Sequence, residues 1–175
     1  MKNTFDLTLR APEPDDVDTL YGWENLPDVE RVSIADAPVS HYALWQYVEA
    51  YTGNIFTDRQ LRLMIEVDGT AVGTVDIADF SPRNRRAWLG IMVAPPYRGK
   101  GYAKEALQKT IAYCRELGMH QLAVMVAQDN EASLALFKNT GFTTSGRLRS
   151  WMLRGKKYED VIVLQLMLDN APEAE

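Results

Sequence analysis

The chain has 175 residues, of which 46% are hydrophobic and 25% are charged, and its formal net charge is −5. This length is enough for one good core and too short for two ordinary domains, so we expect one domain over residues 1–169 and a tail at 170–175. The negative charge argues against a nucleic-acid partner, because lysine and arginine supply most of the affinity for a phosphate backbone.

The first third of the chain predicts one strand and two helices. Apolar residues alternate over residues 5–9 until Pro12 ends the strand. Pro14 and the acidic pair after it favour the start of a helix, and Ser40 suits the N-cap of a second helix whose apolar stripe runs to Tyr51.

The next segment predicts an antiparallel meander of three strands. Two strand-like runs, at residues 61–67 and 71–77, flank Asp68-Gly69, a dipeptide that favours a two-residue hairpin turn. A turn at residues 81–84 then leads into a third strand that ends near Val93.

Helices and strands alternate in the remainder of the chain. A helix follows Arg98 and ends at Gly118, a strand covers residues 121–127, a helix follows Asn130, and a strand pair surrounds Arg154-Gly155. The order β, α, α, β, β, β, α, β, α, β, β predicts an α+β domain with a mixed sheet.

A glycine-rich loop is the strongest functional signal. Residues 98–103, Arg-Gly-Lys-Gly-Tyr-Ala, follow an apolar strand and open a helix. Glycine lets the backbone adopt positive φ and approach a ligand, and the first N–H groups of a helix have no partner within it. Such a loop can cradle a pyrophosphate. Its spacing fits neither the dinucleotide-binding GxGxxG motif nor a P-loop.

The loop reads Arg-x-x-Gly-x-Ala and resembles the acetyl-coenzyme A signature of the GNAT superfamily of N-acetyltransferases. Residues 129–142, which include Asn130, Phe137 and Gly141-Phe142, resemble the family's Asn-x-x-Ser/Ala-x-x-Leu-Tyr-x-x-x-Gly-Phe motif. Residues 146–160 resemble the closing hairpin of the branch that contains spermidine N-acetyltransferases and ribosomal-protein N-terminal acetyltransferases.

This resemblance implies a GNAT-like single domain, with a mostly antiparallel central sheet and helices on both faces. It also implies acetyl-CoA as the cofactor, entering a split between the strands that end at Val93 and Ala127. The residues expected to contact the cofactor are Ile91, Met92, Val93, Arg98, Gly99, Lys100, Gly101, Tyr102, Ala103, Lys104, Asn130 and Phe137.

The acid and the base of the reaction depart from the family pattern. The amine must be neutral to attack the thioester, and the departing thiolate must be stabilised or protonated. Phe137 replaces the family's tyrosine, so we assign the acid to Tyr102, which borders the loop. Trp88 stands where relatives often carry glutamate, and Asp76 is favoured as the base over Asp79, because a carboxylate in an apolar strand can have a raised pKa.

The acceptor is expected to be a small-molecule amine, with a polyamine such as spermidine favoured. Residues 1–36 carry nine acidic and three basic side chains, which is either a solvated face or a surface that attracts a polycation. The alternatives are a protein N-terminus, an aminoglycoside-type amine, or a non-catalytic CoA-binding sensor. A homo-oligomer is compatible with the sequence.

The remaining features give expectations about compartment and metals. No apolar run is long enough to cross a bilayer, and the N-terminus has no signal-peptide pattern, so a cytoplasmic protein without a membrane partner is expected. Cys114 is the only cysteine and is expected to be a packed core thiol. Neither His41 nor His120 has a second ligand at metal-site spacing, so no metal site is expected.

Overall fold

A computed structural model describes residues 5–26 and 38–168 of the chain. The predicted tail at 170–175 and three members of the acid-rich segment, Asp28, Glu30 and Asp36, lie outside the described residues. Contacts divide the chain into two compact units, Ala11–Gly53 and the remainder. The predicted domain bounds therefore stay a prediction.

The unit Ala11–Gly53 contains the two predicted helices. A 3-10 turn at Pro14–Asp16 leads into α1 (Val17–Glu24), and α2 covers His41–Glu49. The Ser40 hydroxyl accepts a hydrogen bond from the backbone N–H of Ala43, which confirms the predicted cap. The helix ends two residues before Tyr51, so the apolar stripe extends slightly beyond the regular structure.

The larger unit is built on a seven-stranded sheet in the order β1-β2-β3-β4-β5-β7-β6. Only β4 and β5 are parallel, so the sheet is mixed and mostly antiparallel, as predicted. The strands are β1 (Leu7–Arg10), β2 (Leu61–Val67), β3 (Thr70–Ser81), β4 (Arg86–Val93), β5 (Gln121–Ala127), β6 (Thr143–Arg154) and β7 (Lys157–Met167).

Three helices accompany these strands. The short α3 (Ile55–Asp58) was not predicted, whereas α4 (Tyr102–Glu116) and α5 (Glu131–Asn139) follow Gly101 and Asn130 as expected. Ala106 of α4 packs into a buried cluster with aliphatic side chains of β1, β2 and β3, among them Leu7 and Val75. The long helix is thereby fixed to the sheet, which sets where its first turn lies. The placement of helices on both faces stays a prediction.

The hairpin of β2 and β3 positions several site residues. Asp68 and Gly69 have φ values of 49° and 79°, so the predicted turn with two left-handed residues forms. The register shifts at Ile65/Glu66, which is a β-bulge. Beyond this bulge Arg62 lies opposite Asp76.

Candidate functional site

The parallel pair of strands separates partway along its length. β4 and β5 pair only at Arg86–Gln121, Ala87–Leu122 and Trp88–Ala123. Beyond Trp88, β4 stays paired with β3 as far as Val93, and β5 stays paired with β7 as far as Ala127. The two strands therefore form a split whose apex lies at Trp88 and Ala123.

Backbone orientation identifies which groups of β4 line this split. A Cβ built on Gly73 of β3 would lie 2.1 Å from the carbonyl oxygen of Met92, so that carbonyl points toward β3. Because the N–H and C=O groups of successive strand residues face opposite edges, those of Ile91 and Val93 face the split. This alternation favours Ile91 and Val93 over Met92 for backbone pairing with the cofactor arm.

The glycine loop lies at the open end of the split. Gly99 and Gly101 have φ values of 76° and 85°, the left-handed region that glycine reaches without strain. A Cβ built on either glycine would meet no heavy atom within 4 Å, so the space in front of the loop is open. Gly101 is the N-cap of α4 and has no side chain to cap the N–H groups of the first turn. These features are typical of a loop that binds a phosphate, and this role stays a prediction.

Arg98 ties the loop to the end of β4, and Lys100 lies over a ring just before the loop. The Nε–H of Arg98 donates a 2.8 Å hydrogen bond to the carbonyl of Val93. The ammonium of Lys100 lies 5.5 Å from the centre of the Tyr97 ring, within range of a cation–π interaction. The loop thus carries positive charge close to its glycines.

Asn130 lies across the split, after the end of β5. Its side-chain oxygen accepts a 3.1 Å hydrogen bond from the backbone N–H of Ser133, so it is the N-cap of α5. The cap uses the Oδ1 atom, and the Nδ2 group can donate to a ligand. The two predicted roles of Asn130 are therefore compatible.

Asp76 is part of a bidentate ion pair. The guanidinium of Arg62 binds one carboxylate oxygen at 2.6 Å and the other at 3.1 Å. Both oxygens are therefore engaged before any acceptor arrives, and Arg62 would repel an acceptor ammonium. Arg62 is not apparent as the partner of Asp76 from the sequence, because the bulge in the β2–β3 hairpin decides which residue faces Asp76. The catalytic role of Asp76 stays a prediction.

The two candidate acid positions have different surroundings. The Phe137 side chain is 2% exposed and meets Phe142 edge to face, with ring centres 5.2 Å apart. It is a core residue, and its contact with a cofactor stays a prediction. Tyr102 is the first residue of α4, and its ring meets that of Phe5 edge to face at 4.8 Å.

A half-open cavity of about 300 Å³ lies along the paired part of β4 and β5 and reaches the apex of the split. Trp88 and Ala123, the last paired residues, contribute to its wall, together with side chains from β6 and β7. The Nε2 group of Gln165 donates to Oε1 of Gln121 across the strands, at 2.9 Å. The residues that line the cavity are Arg86, Ala87, Trp88, Gln121, Ala123, Ser145, Val163 and Gln165. The cavity offers an acceptor an aromatic wall and amide groups.

The missing phenol can be tested by Phe137→Tyr. We expect the single-turnover rate to rise about tenfold if a positioned acid limits the chemical step. Stability should fall by about 1–3 kcal/mol where the buried hydroxyl finds no partner. Phe142→Tyr is the matched control, because that ring is equally buried and packs against Phe137 itself.

The result is read together with Tyr102→Phe. An unchanged rate in Phe137→Tyr with a large loss in Tyr102→Phe would place the acid at Tyr102. No change in either variant would contradict the expectation of a side-chain acid and leave solvent as the proton donor.

The described ranges, 5–26 and 38–168, contain no group of three or more histidine, cysteine or acidic side chains that could hold a metal ion. No described helix is long and apolar enough to cross a membrane.

Comparisons with known proteins agree with this geometry. The family model of the acetyltransferase (GNAT) domain matches residues 6–143. The chain is 24% identical over 163 residues to the spermidine N(1)-acetyltransferase of Escherichia coli K12, covering 93% of this chain and 86% of that protein. It is 29% identical over 101 residues to a Bacillus subtilis protein provisionally named a ribosomal N-acetyltransferase, covering 57% and 55%.

A solved structure has the same fold. The spermidine N-acetyltransferase of Vibrio cholerae in complex with CoA and spermine superposes with a TM-score of 0.83 at 24% identity, covering 94% of this chain and 96% of that one. Another structure of the Vibrio enzyme is dodecameric. The predicted GNAT-like α+β fold with a mixed sheet is confirmed.

Proposed function

Since this chain belongs to the GNAT acetyltransferase family, we propose that it acetylates a primary amine on a small molecule, with acetyl-CoA bound in the split between β4 and β5. The observation that carries the proposal is the separation of these strands beyond Trp88 and Ala123, next to a loop with two left-handed glycines. Open space in front of Gly99 and Gly101 fits a pyrophosphate.

Each part of the site has a separate task in this proposal. Acetyl-CoA supplies an acetyl group activated as a thioester. Backbone groups of Ile91 and Val93 hold the pantetheine arm on one side, and the Asn130 amide holds it on the other. The N–H groups of residues 101–104 bind the phosphates, with Arg98 and Lys100 adding positive charge. Positioning of the amine in the cavity at the apex supplies much of the acceleration.

We propose a polyamine such as spermidine as the acceptor. Two relatives carry spermidine in their names, and the described part of the acid-rich segment includes Asp15, Asp18 and Glu24. No lining residue of the apex cavity in the described part of the chain is acidic, and Arg86 is basic. The carboxylates that hold a polycation must therefore come from outside this cavity.

Release of the CoA thiol is the assay that tests turnover. Burial raises the pKa of Cys114, the single cysteine, to about 12, so its thiol stays protonated and hidden at neutral pH. The thiol signal then reports CoA alone. Polyamines, amino acids, aminoglycosides and N-terminal peptides are compared as acceptors. CoA binding without turnover on any of them would favour the sensor.

A polyamine acceptor predicts salt-dependent turnover. We expect kcat/KM for spermidine to fall as salt rises to physiological strength, because charges more than about 8 Å apart are then screened. A monoamine acceptor, which carries a single positive charge, is the control and should show a smaller change. Acetylation of a peptide N-terminus or an aminoglycoside, with none of spermidine, spermine or putrescine, would decide for the alternative acceptors.

We also propose that the protein works as a homo-oligomer in the cytoplasm. The dodecameric Vibrio relative supports the first part of this proposal. Light scattering of the purified full chain measures its mass, and a monomer would contradict the oligomer.

A further inference from the structure

We propose that Arg154 is a positioning residue for the cofactor site, acting through Asp129 to orient Asn130. The inference rests on the proposed function, in which the Asn130 amide contacts acetyl-CoA. Nothing in the family motif or in the sequence analysis gives Arg154 this task.

The ion pairs of Arg154 with Asp129 and Glu159 form a clamp. This clamp joins the tip of the β6–β7 hairpin to the loop that follows β5. Arg154 is the last residue of β6 and lies opposite Lys157 across the turn Gly155-Lys156. Its Nη1 atom is 2.6 Å from Oδ2 of Asp129 and 2.9 Å from Oε2 of Glu159. The Asp129 contact is a hydrogen bond, whereas the Glu159 contact is an ion pair that leaves the buried Oε2 atom without a hydrogen-bond partner in the described structure.

The loop between β5 and α5 has a fixed point on each side of Asp129. The backbone N–H of Gln128 donates to the carbonyl of Asp160 on β7 at 3.0 Å. The Asn130 side chain is tied to Ser133 at the start of α5. The backbone N–H of Asn130 also donates to the carbonyl of Ala127 at 2.9 Å, so the backbone of the loop is held on both sides of Asp129. The ion pair with Arg154 is the side-chain contact that ties Asp129 to the β6–β7 hairpin. The residue that follows Asp129 in the chain is Asn130.

The ion pair contributes more to geometry than to stability. Asp129 is 61% exposed, and ion pairs with such exposure contribute about 0–1 kcal/mol to folding. The Nε atom of Arg154 is buried with no hydrogen-bond partner in the described structure, which is a cost to the fold. Without the guanidinium, the carboxylates of Asp129 and Glu159 would repel each other and displace the loop.

The test measures the Kd of CoA by calorimetry on the full-length protein. Arg154→Gln is expected to weaken CoA binding about tenfold, with little change in Tm, and Asp129→Ala, which removes the acceptor of the Arg154 hydrogen bond, should reproduce the loss. Arg10→Gln is the control, because it breaks a comparable ion pair with Glu66 at the opposite edge of the sheet. We expect its Kd to equal that of the unaltered protein.

A double variant separates positioning from a general structural effect. Asn130→Ser keeps a capping oxygen and removes the amide, so α5 retains its N-cap. If Arg154 acts through Asn130, adding Arg154→Gln to Asn130→Ser should cause no further loss of CoA affinity. A further tenfold loss in the double variant would overturn the inference. So would an Arg154→Gln protein that binds CoA as tightly as the unaltered protein.

These outcomes are distinct from failure of the proposed function. If the unaltered protein does not bind CoA, the cofactor assignment fails and the clamp fails with it. If it binds CoA and only the Arg154 results disagree, the cofactor assignment stands and the clamp alone is wrong.

Discussion

Replacing Gly101 by valine should weaken CoA binding about 30-fold or more, which corresponds to about 2 kcal/mol. The residue has a φ of 85° and ends the loop at the start of α4. A valine side chain would occupy the open space in front of the loop, where the pyrophosphate has to approach the backbone. Several phosphate hydrogen bonds would then be lost together.

Gly118→Val is the matched control for backbone strain. Gly118 follows the other end of the same helix, has a φ of 72°, and also has no heavy atom within 4 Å of a built Cβ. Both variants should lose stability, because a branched side chain is strained in the left-handed region. Only Gly101→Val should lose CoA affinity in calorimetry. Equal affinities in the two folded variants would contradict the cofactor assignment.

Replacing Gly73 by alanine should destabilise the fold by roughly 3 kcal/mol, since the strand has no room for a methyl group. The added carbon would lie 2.1 Å from the Met92 carbonyl oxygen and 3.0 Å from Cα of Val93. These are backbone atoms of β4, so relief requires β3 and β4 to move apart. For a chain of this size the Tm should fall by roughly 10 °C.

The same displacement should reach the cofactor site. Val93 is one of the residues whose backbone groups face the split, so a folded Gly73→Ala protein should also bind CoA less tightly. Gly146→Ala is the control, because that strand glycine has no heavy atom within 4 Å of a built Cβ. A thermal melt of Gly73→Ala that matches that of Gly146→Ala would contradict the close approach of the two strands.

Local signals predicted the elements of the larger unit well. The turn at Asp68-Gly69, the loop before α4 and the glycine after it each require positive φ, and glycine or aspartate stands at each of these positions. Strand β5 has the predicted bounds. The short α3 was missed because four residues are too few to show a helical period.

The position of the turn alone does not predict which residues of β2 and β3 lie opposite each other. A regular two-residue turn would place Leu61 opposite Asp76, but the bulge at Ile65/Glu66 places Arg62 there instead. The bulge therefore decides that the candidate base is held by a guanidinium. It depends on packing between strands, which the alternation of one strand does not encode.

The sequence by itself determined the order of helices and strands, the glycine loop and the two family motifs, because periodicity, turn residues and spacing are local properties of the chain. The tertiary structure decided where β4 and β5 separate, which backbone groups face the split, and which charges meet. Arg154 and Asp129 are 25 residues apart, and no sequence motif indicates that they form an ion pair. Contacts of this kind depend on how strands pair and diverge in three dimensions, so only the folded chain defines them.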